Sequence, residues 1–241
     1  AAGLAEVQKW IDGEATNNGF VIASEGTGNG IDFTADTAKL VLYTEASEST
    51  GLEDSLTTQP AGFTTDGSTM YWIDSRGRNT AALIAQDVAT GEKTIIAEND
   101  KADIGGAMSD PKTGEIEAYS FTYLTTEWTA TDPDVKASLD WLGERLEGEF
   151  GVQSRTEADD KWVVWNDPLT APSKTFIYDR TAGTLEEFYT TRPELVGAPL
   201  QPMQTLELTS RDGLTLPSYL TLPPGSDTSG DGVPDAAVPM V

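Results

Sequence analysis

The sequence contains no histidine and no cysteine. Without cysteine the chain has no disulfides, no thiolate zinc site and no cysteine nucleophile. Without histidine it lacks the usual general base of a serine hydrolase triad and the commonest transition-metal ligand. The pattern Gly-x-Ser-x-Gly of a nucleophile elbow is absent as well. We therefore predict that the chain alone is no serine or cysteine hydrolase, and we assign no catalytic residue.

Basic residues are scarce, since 15 Lys and Arg stand against 40 Asp and Glu for a formal net charge of -25. This charge repels phosphate backbones and anionic lipids, which excludes nucleic acid as a partner. It is typical of a strongly hydrated surface, and the alternative is attraction of cationic peptides or divalent metal ions. No apolar run is long enough to span a bilayer. The chain does not begin with Met, so we expect a mature form or an excised piece.

Short runs rich in Val, Ile, Thr and aromatic residues predict a mainly β fold, because Asp, Gly, Asn and Pro separate them as in turns. Three turns share the pattern Asp-x-x-x-Gly and start at Asp87, Asp110 and Asp179. An Asp that bonds its own backbone, followed by a Gly at positive φ, suits a tight hairpin. Residues 151–190 hold four successive predicted strands, which indicates one four-stranded antiparallel blade of a β-propeller. A β-sandwich with similar turns is the alternative.

One segment, 134–146, has apolar residues at helical spacing instead. They are Val135, Leu139, Leu142 and Leu146, and Pro133 precedes them at a position that favours a helix start. We predict a short helix inserted between strands and packed against a sheet edge.

Residues 71–78 read Tyr-Trp-Ile-Asp-Ser-Arg-Gly-Arg. This segment and others over about residues 52–241 resemble the propeller of bacterial peptidases in the prolyl oligopeptidase family. The most specific motif of the resemblance is Arg-Asp-Gly-Leu-Thr-Leu-Pro at 211–217. The resemblance implies propeller blades over 52–200 and, at 203–241, the first strands leading to an α/β-hydrolase domain that the sequence does not contain.

The same resemblance implies a function without catalysis. In this family the propeller caps the active site of a serine peptidase and gates peptide access by size. The implied partners are the missing α/β-hydrolase domain and the peptide substrates of the parent protein, and the implied location is extracytoplasmic, either periplasmic or secreted. The family's His-Gly-Gly-Pro loop and nucleophile elbow have no counterpart in the 241 residues. The catalytic residues of the family therefore have no positions here onto which they can be carried.

The first 46 residues contain Val-Gln-Lys-Trp-Ile-Asp-Gly at 7–13 and Lys-Leu-Val-Leu-Tyr at 39–43. These segments are similar to the end of a DNRLRE-type module, a β-sandwich of secreted and cell-surface proteins. An extra propeller blade is the alternative for this β-rich segment. The small, polar and acidic residues at 45–51 predict a linker after it.

A calcium loop is the sharpest local motif, because oxygen-bearing side chains recur at its first, third, fifth and ninth places. Gly232 at the sixth place allows the bend, and the twelfth place is Val238, so no bidentate Glu is present. The predicted ligands are Asp227, Ser229, Asp231, the carbonyl of Val233, and Asp235. The loop supports an alternative function as a secreted, calcium-dependent binding or adhesion module.

Two acidic pairs, Asp159-Asp160 and Glu186-Glu187, also invite a functional interpretation. Paired carboxylates serve glycoside hydrolysis when their spacing is right, which makes a glycosidase a third possibility. Because adjacent side chains on a strand point to opposite faces, we interpret both pairs as solvated turn or edge residues. Arg76 and Arg78 are interpreted as holding a loop by ion pairs.

Overall fold

The structure, a computed structural model, describes Asp54 and residues 56–238. The predictions for residues 1–46 therefore lie outside the described residues. The described part is mainly β, with one α-helix, α1 (Pro133–Gly143). Its strands, in chain order, are β1 (Gln59–Phe63), β2 (Thr69–Asp74), β3 (Ala82–Asp87), β4 (Lys93–Ala97), β5 (Ile104–Ser109), β6 (Ile116–Thr122), β7 (Thr126–Ala130), β8 (Glu149–Arg155), β9 (Lys161–Asp167), β10 (Lys174–Asp179), β11 (Thr184–Thr190), β12 (Met203–Thr209) and β13 (Thr215–Thr221).

The strands form consecutive antiparallel sheets, and within each sheet neighbours in sequence are neighbours in space. Sheet 1 has the order β1-β2-β3-β4, sheet 2 has β5-β6-β7, and sheet 3 has β8-β9-β10-β11. A hairpin of β12 and β13 follows. Four-stranded meanders in series are the blades of a β-propeller, so the predicted fold class is confirmed.

The three Asp-x-x-x-Gly turns have the predicted geometry. Asp87 Oδ1 accepts hydrogen bonds from the N–H groups of Ala89 and Thr90 at 3.0 and 2.7 Å. Gly91, at φ 74°, donates its N–H to the carbonyl of Asp87 at 2.8 Å. The turns at Asp110 and Asp179 repeat this bond from the Gly to the Asp carbonyl, at 2.9 and 2.8 Å. Local side-chain acceptors and a left-handed Gly thus close each hairpin.

Sheet 2 has three strands, whereas sheets 1 and 3 have four. The helix follows its third strand in the chain. After β7 the chain reaches Asp132, whose Oδ1 accepts the N–H groups of Asp134 and Val135, both at 2.9 Å. Pro133 occupies the first turn, where its missing N–H costs nothing. The helix ends at Gly143, three residues before the predicted end. The cap at Asp132 and Pro133 thus start a helix soon after the third strand of sheet 2.

Two apolar cores lie between the sheets. The first joins sheet 1 to sheet 2 through Ile73, Ala81, Leu83, Ala97 and Ile104. The second joins sheet 2, the helix and sheet 3, and its buried residues are Met108, Ala118, Val135, Leu139, Leu142, Trp162, Val164 and Tyr178. Each sheet thus shares a core with the next, as expected of blades that cannot bury both faces alone.

Candidate functional site

A cluster of charged side chains surrounds the buried Trp162 of β9, where sheet 2, the helix and sheet 3 meet. Trp162 is fully buried and donates its indole N–H to Asp159 Oδ1 at 2.7 Å. The guanidinium carbons of Arg155 and Arg180 lie 5.6 and 4.7 Å from the centroid of its ring. Two cations on one indole are electrostatically favourable when carboxylates balance their charge.

Arg155, at the end of β8, connects sheet 3 to sheet 2. Its side chain is only 6% exposed, and its Nη2 lies 2.7 Å from Glu117 Oε2 on β6. The same nitrogen donates to the carbonyl of Ser109, the last residue of β5. Its Nη1 lies 3.1 Å from Asp159 Oδ1. Burial raises the pKa of Glu117, and the hydrogen bond from Arg155 opposes that rise.

Arg180 connects the turn after β10 to the helix. Its Nε donates to Ser138 Oγ at 2.9 Å, and its Nη2 donates to the carbonyl of Asp134 at 3.2 Å. It also forms an ion pair with Asp159, whose side chain is 19% exposed and whose φ is 54°. Asp159 thus lies in a turn, as interpreted, but it is not solvated, because Arg155 and Arg180 both form ion pairs with its carboxylate.

A surface pocket of about 340 Å³ lies beside this cluster, with Asp134, Ser138, Asp159, Asp160 and Arg180 among its lining residues. The hydroxyl of Ser138 donates to the carbonyl of Asp134 at 3.0 Å and accepts from Arg180. Among the described residues, these two partners of the Ser138 hydroxyl are a carbonyl and a guanidinium, and neither acts as a general base. The arrangement supports a joint between elements rather than chemistry.

The other charged residues singled out from the sequence also form local ion pairs. Arg76 Nη2 lies 2.6 Å from Asp74 Oδ2, and Arg78 pairs with Glu98. The hydrogen bonds from Arg76 hold the pKa of the buried Asp74 below its ordinary value. Glu187, on the exposed strand β11, pairs with Lys174 at 2.7 Å. The structure thus shows Arg76 and Arg78 in the loop-holding role.

In the predicted calcium loop, the carboxylate of Asp227 accepts hydrogen bonds from the backbone of the loop. Its Oδ1 accepts the N–H of Gly230 at 2.7 Å, and its Oδ2 accepts that of Gly232 at 2.8 Å. The hydrogen bond from Gly232 is the main cause that lowers the pKa of Asp227. Ser229 Oγ donates to Asp227 Oδ1 at 3.1 Å.

The remaining predicted ligands make separate contacts. Asp231 Oδ1 accepts the N–H of Val233 at 2.9 Å, while Asp235 Oδ2 accepts the hydroxyl of Thr228 at 2.8 Å. Across residues 54 and 56–238, no group of three or more acidic side chains is arranged to hold a metal ion. Calcium binding stays a prediction.

Sequence reasoning missed the cluster around Trp162 as a unit. Arg155 contacts residues 38 and 46 positions away, and the contact from Arg180 to Ser138 spans 42. No local motif records partners at such distances. The available signal was the presence of Arg155 at the end of a predicted strand and of Arg180 within the third Asp-x-x-x-Gly turn.

The serial meanders with their shared cores define this chain as carrying blades of a β-propeller. No family model matches it. Over 189 residues, 78% of this chain, it is 48% identical to dipeptidyl aminopeptidase BIII of Pseudoxanthomonas mexicana. Over 174 residues it is 25% identical to dipeptidyl peptidase family member 6 of Caenorhabditis elegans. The chain belongs to the prolyl oligopeptidase family of peptidases.

The matched part is a minority of each relative, since the chain spans 27% and 24% of their lengths. Among solved structures, prolyl oligopeptidase B from Galerina marginata matches 68% of this chain with a TM-score of 0.41 and 16% identity. The match covers 24% of that chain. In the described part of this chain, the helix is too short and too polar to cross a membrane.

Proposed function

We propose that this chain is the non-catalytic propeller portion of a serine peptidase and that it gates the access of peptides to a hydrolase domain. The identity of 48% to a dipeptidyl aminopeptidase is the observation that carries the proposal. The absence of histidine and of a nucleophile elbow from the 241 residues supports a role without catalysis. The comparisons give no support to the alternative, a calcium-dependent adhesion module.

Gating by blades requires stiffness and shape rather than reactive groups. The apolar cores and the buried Arg155 hold sheets 1 to 3 together as a continuous wall. Such a wall excludes large substrates sterically while short peptides pass. The parent peptidase is proposed to act outside the cytoplasm, as the resemblance implies.

A chimera tests the proposal. The matching segment of the Pseudoxanthomonas mexicana relative is replaced by this chain, and cleavage of a short peptide is compared with cleavage of an unfolded protein. We expect the chimera to cleave the peptide and to spare the protein, whereas the hydrolase part of the relative without any propeller segment loses this preference. The chain alone is expected to be inactive.

Two results would contradict the proposal. One is peptide cleavage by the purified chain alone, with contaminating peptidases excluded by a mock purification. The other is a folded, active chimera that degrades the unfolded protein as fast as the relative without its propeller segment does. Circular dichroism shows whether the chimera is folded. A misfolded chimera is replaced by one whose junctions lie at other positions.

We further propose that the loop around Asp227 binds calcium weakly. Five predicted ligand positions and the sharp bend at Gly232 support this proposal. Sites of this kind in extracellular modules bind in the range of about 0.1 to 1 mM. Calcium at tenfold above its Kd stabilises a fold by about 1.4 kcal/mol, so we expect a higher midpoint of thermal unfolding. The variant D231N should lose the shift, and an unchanged midpoint in the wild type at millimolar calcium removes the proposal.

A further inference from the structure

The hairpin of β12 and β13 is attached to the rest of the described chain in a different way from the sheets. The two strands pair with each other at seven positions, from Met203 opposite Thr221 to Thr209 opposite Thr215. None of their residues belongs to either apolar core. Leu208, Leu216 and Tyr219 are all more than 40% exposed. These three side chains therefore add little apolar burial between the hairpin and the sheets.

A small polar cluster connects it instead. Tyr123, in the turn between β6 and β7, donates its hydroxyl to Glu207 Oε1 on β12 at 2.7 Å. Lys101, in the connection from β4 to β5, places its Nζ 3.7 Å from the same oxygen and 4.7 Å from the Tyr123 ring centroid. Lys101, Tyr123 and Glu207, here called the clasp, thus bring three separate segments together.

The position of the clasp follows from strand direction. In a meander the β6–β7 turn and the β4–β5 connection leave the sheets at the same end, opposite to the turns at Asp87 and Asp110. The hairpin therefore contacts one end of the blades. Tyr219 reinforces this placement, because its hydroxyl lies 3.4 Å from the carbonyl of Tyr123.

The strength of the clasp is limited by its exposure. The side chains of Lys101 and Glu207 are 65% and 45% exposed, whereas Arg155 between sheets 2 and 3 is 6% exposed. Breaking an exposed ion pair costs far less than breaking a buried one from one side, and exposed pairs weaken with added salt. The hairpin joint is thus more easily opened than the joints between sheets.

We propose that the clasp is a positioning device that holds the hairpin against the end of sheet 2 and opens without unfolding the blades. This proposal rests on the gating function above, in which the hairpin leads from the blades toward the hydrolase domain. Opening the clasp would then change how closely that domain approaches the blades. Lys101, Tyr123 and Glu207 act through the position of the hairpin and touch no substrate.

Spin labels on the 241-residue chain test the clasp without any activity assay. The chain has no cysteine, so E127C on β7 and T215C on β13 create two unique and exposed label sites. We expect one narrow distance distribution in this background. Adding Y123F and E207Q should broaden the distribution about twofold in width, since the hairpin then samples positions away from sheet 2.

A matched control breaks an exposed ion pair elsewhere. Lys136 and Asp140 pair at 2.6 Å on the helix, so K136M should leave the distribution unchanged. An unchanged distribution in the folded Y123F/E207Q chain would overturn the clasp, and so would equal broadening in K136M.

In the chimera, Y123F/E207Q should raise cleavage of the unfolded protein relative to the short peptide. If the chimera without these substitutions does not discriminate between the two substrates, the gating function is wrong. The clasp is then still tested, because the label distances are measured without the hydrolase domain.

Discussion

Arg155 illustrates how one buried side chain can join two sheets. Its guanidinium contacts Glu117, Asp159 and the carbonyl of Ser109. Its removal leaves Glu117 without a cation, whereas Asp159 keeps its ion pair with Arg180. The charges are buried enough that water replaces the lost partner poorly. This residue therefore carries more of the fold than an exposed arginine would.

We expect R155M to lower the free energy of unfolding by about 3 kcal/mol, the usual cost of breaking a buried pair from one side. Urea unfolding followed by circular dichroism measures the change. K136M, which removes one partner of an exposed helix pair, should cost no more than about 0.5 kcal/mol. Equal losses in the two variants would show that Arg155 stabilises the fold no more than an exposed ion-pair partner does.

Asp74 gives a pH-dependent prediction. Its pKa is lowered from 3.8 by the hydrogen bonds from Arg76, so its ionised form is stabilised in the folded state. That stabilisation is fully present above pH 3.8 and is lost as the pH falls through the lowered folded value. We expect D74N to lower the free energy of unfolding by about 2 kcal/mol at pH 7, because the hydrogen bonds between Arg76 and a charged carboxylate are weakened.

The direction of the pH dependence is tested by comparing the wild type with D74N. The difference in free energy of unfolding between the wild type and D74N should shrink as the pH falls below 3.8. Urea unfolding at pH 7, 5 and 3 measures this difference. A gap that stays constant down to pH 3 would mean that the carboxylate of Asp74 is not stabilised by Arg76.

The turns between strands depend on glycine to different degrees. Gly114 lies at φ 75°, and a Cβ there would collide with the carbonyl oxygen of Phe63. Gly183, in the third Asp-x-x-x-Gly turn, lies at φ 64° with open space around the Cβ position. One glycine therefore serves both the turn and a close approach to sheet 1, and the other serves the turn alone.

G183A should cost about 1 to 2 kcal/mol of stability, the price of a left-handed residue with a side chain. G114A should cost clearly more, because the contact with Phe63 must also open. Midpoints of urea unfolding for the two variants provide the comparison. Equal costs would indicate that the turn at Asp110 moves away from Phe63 without penalty.

The helix α1 shows how a single element changes the architecture of a blade. It follows β7 in sheet 2 and buries Val135, Leu139 and Leu142 in the core that sheets 2 and 3 share. Its buried face and the Arg180 contacts to Ser138 and Asp134 join it to the third sheet as well. The prediction of a helix packed against a sheet edge thus captured its presence but not its bridging position.

The net charge of -25 acts on the chain as a whole. At low ionic strength the like charges repel one another and oppose compaction, whereas the buried pairs around Trp162 are screened little. We expect the midpoint of thermal unfolding to rise when sodium chloride increases from about 20 to 500 mM, as the Debye length shortens. Differential scanning calorimetry measures it. A midpoint that falls with salt would indicate that exposed ion pairs outweigh the repulsion.

Local interactions explain what was predictable from the sequence alone. The strands of residues 151–190, the Asp-x-x-x-Gly turns and the helix start at Pro133 all depend on residues a few positions apart, so each leaves a readable pattern. The absence of an imidazole is likewise a matter of composition, and it removes the triad from these residues without any reference to folding.

The tertiary structure alone decided which distant groups meet. Arg155 contacts Glu117, and Tyr123 contacts Glu207 across 84 positions. Both contacts depend on how the sheets pack. The same patterns of strands suit a sandwich and a propeller, because packing between sheets is not encoded in the period of any one strand. Contacts between residues far apart in sequence therefore had to be seen in three dimensions.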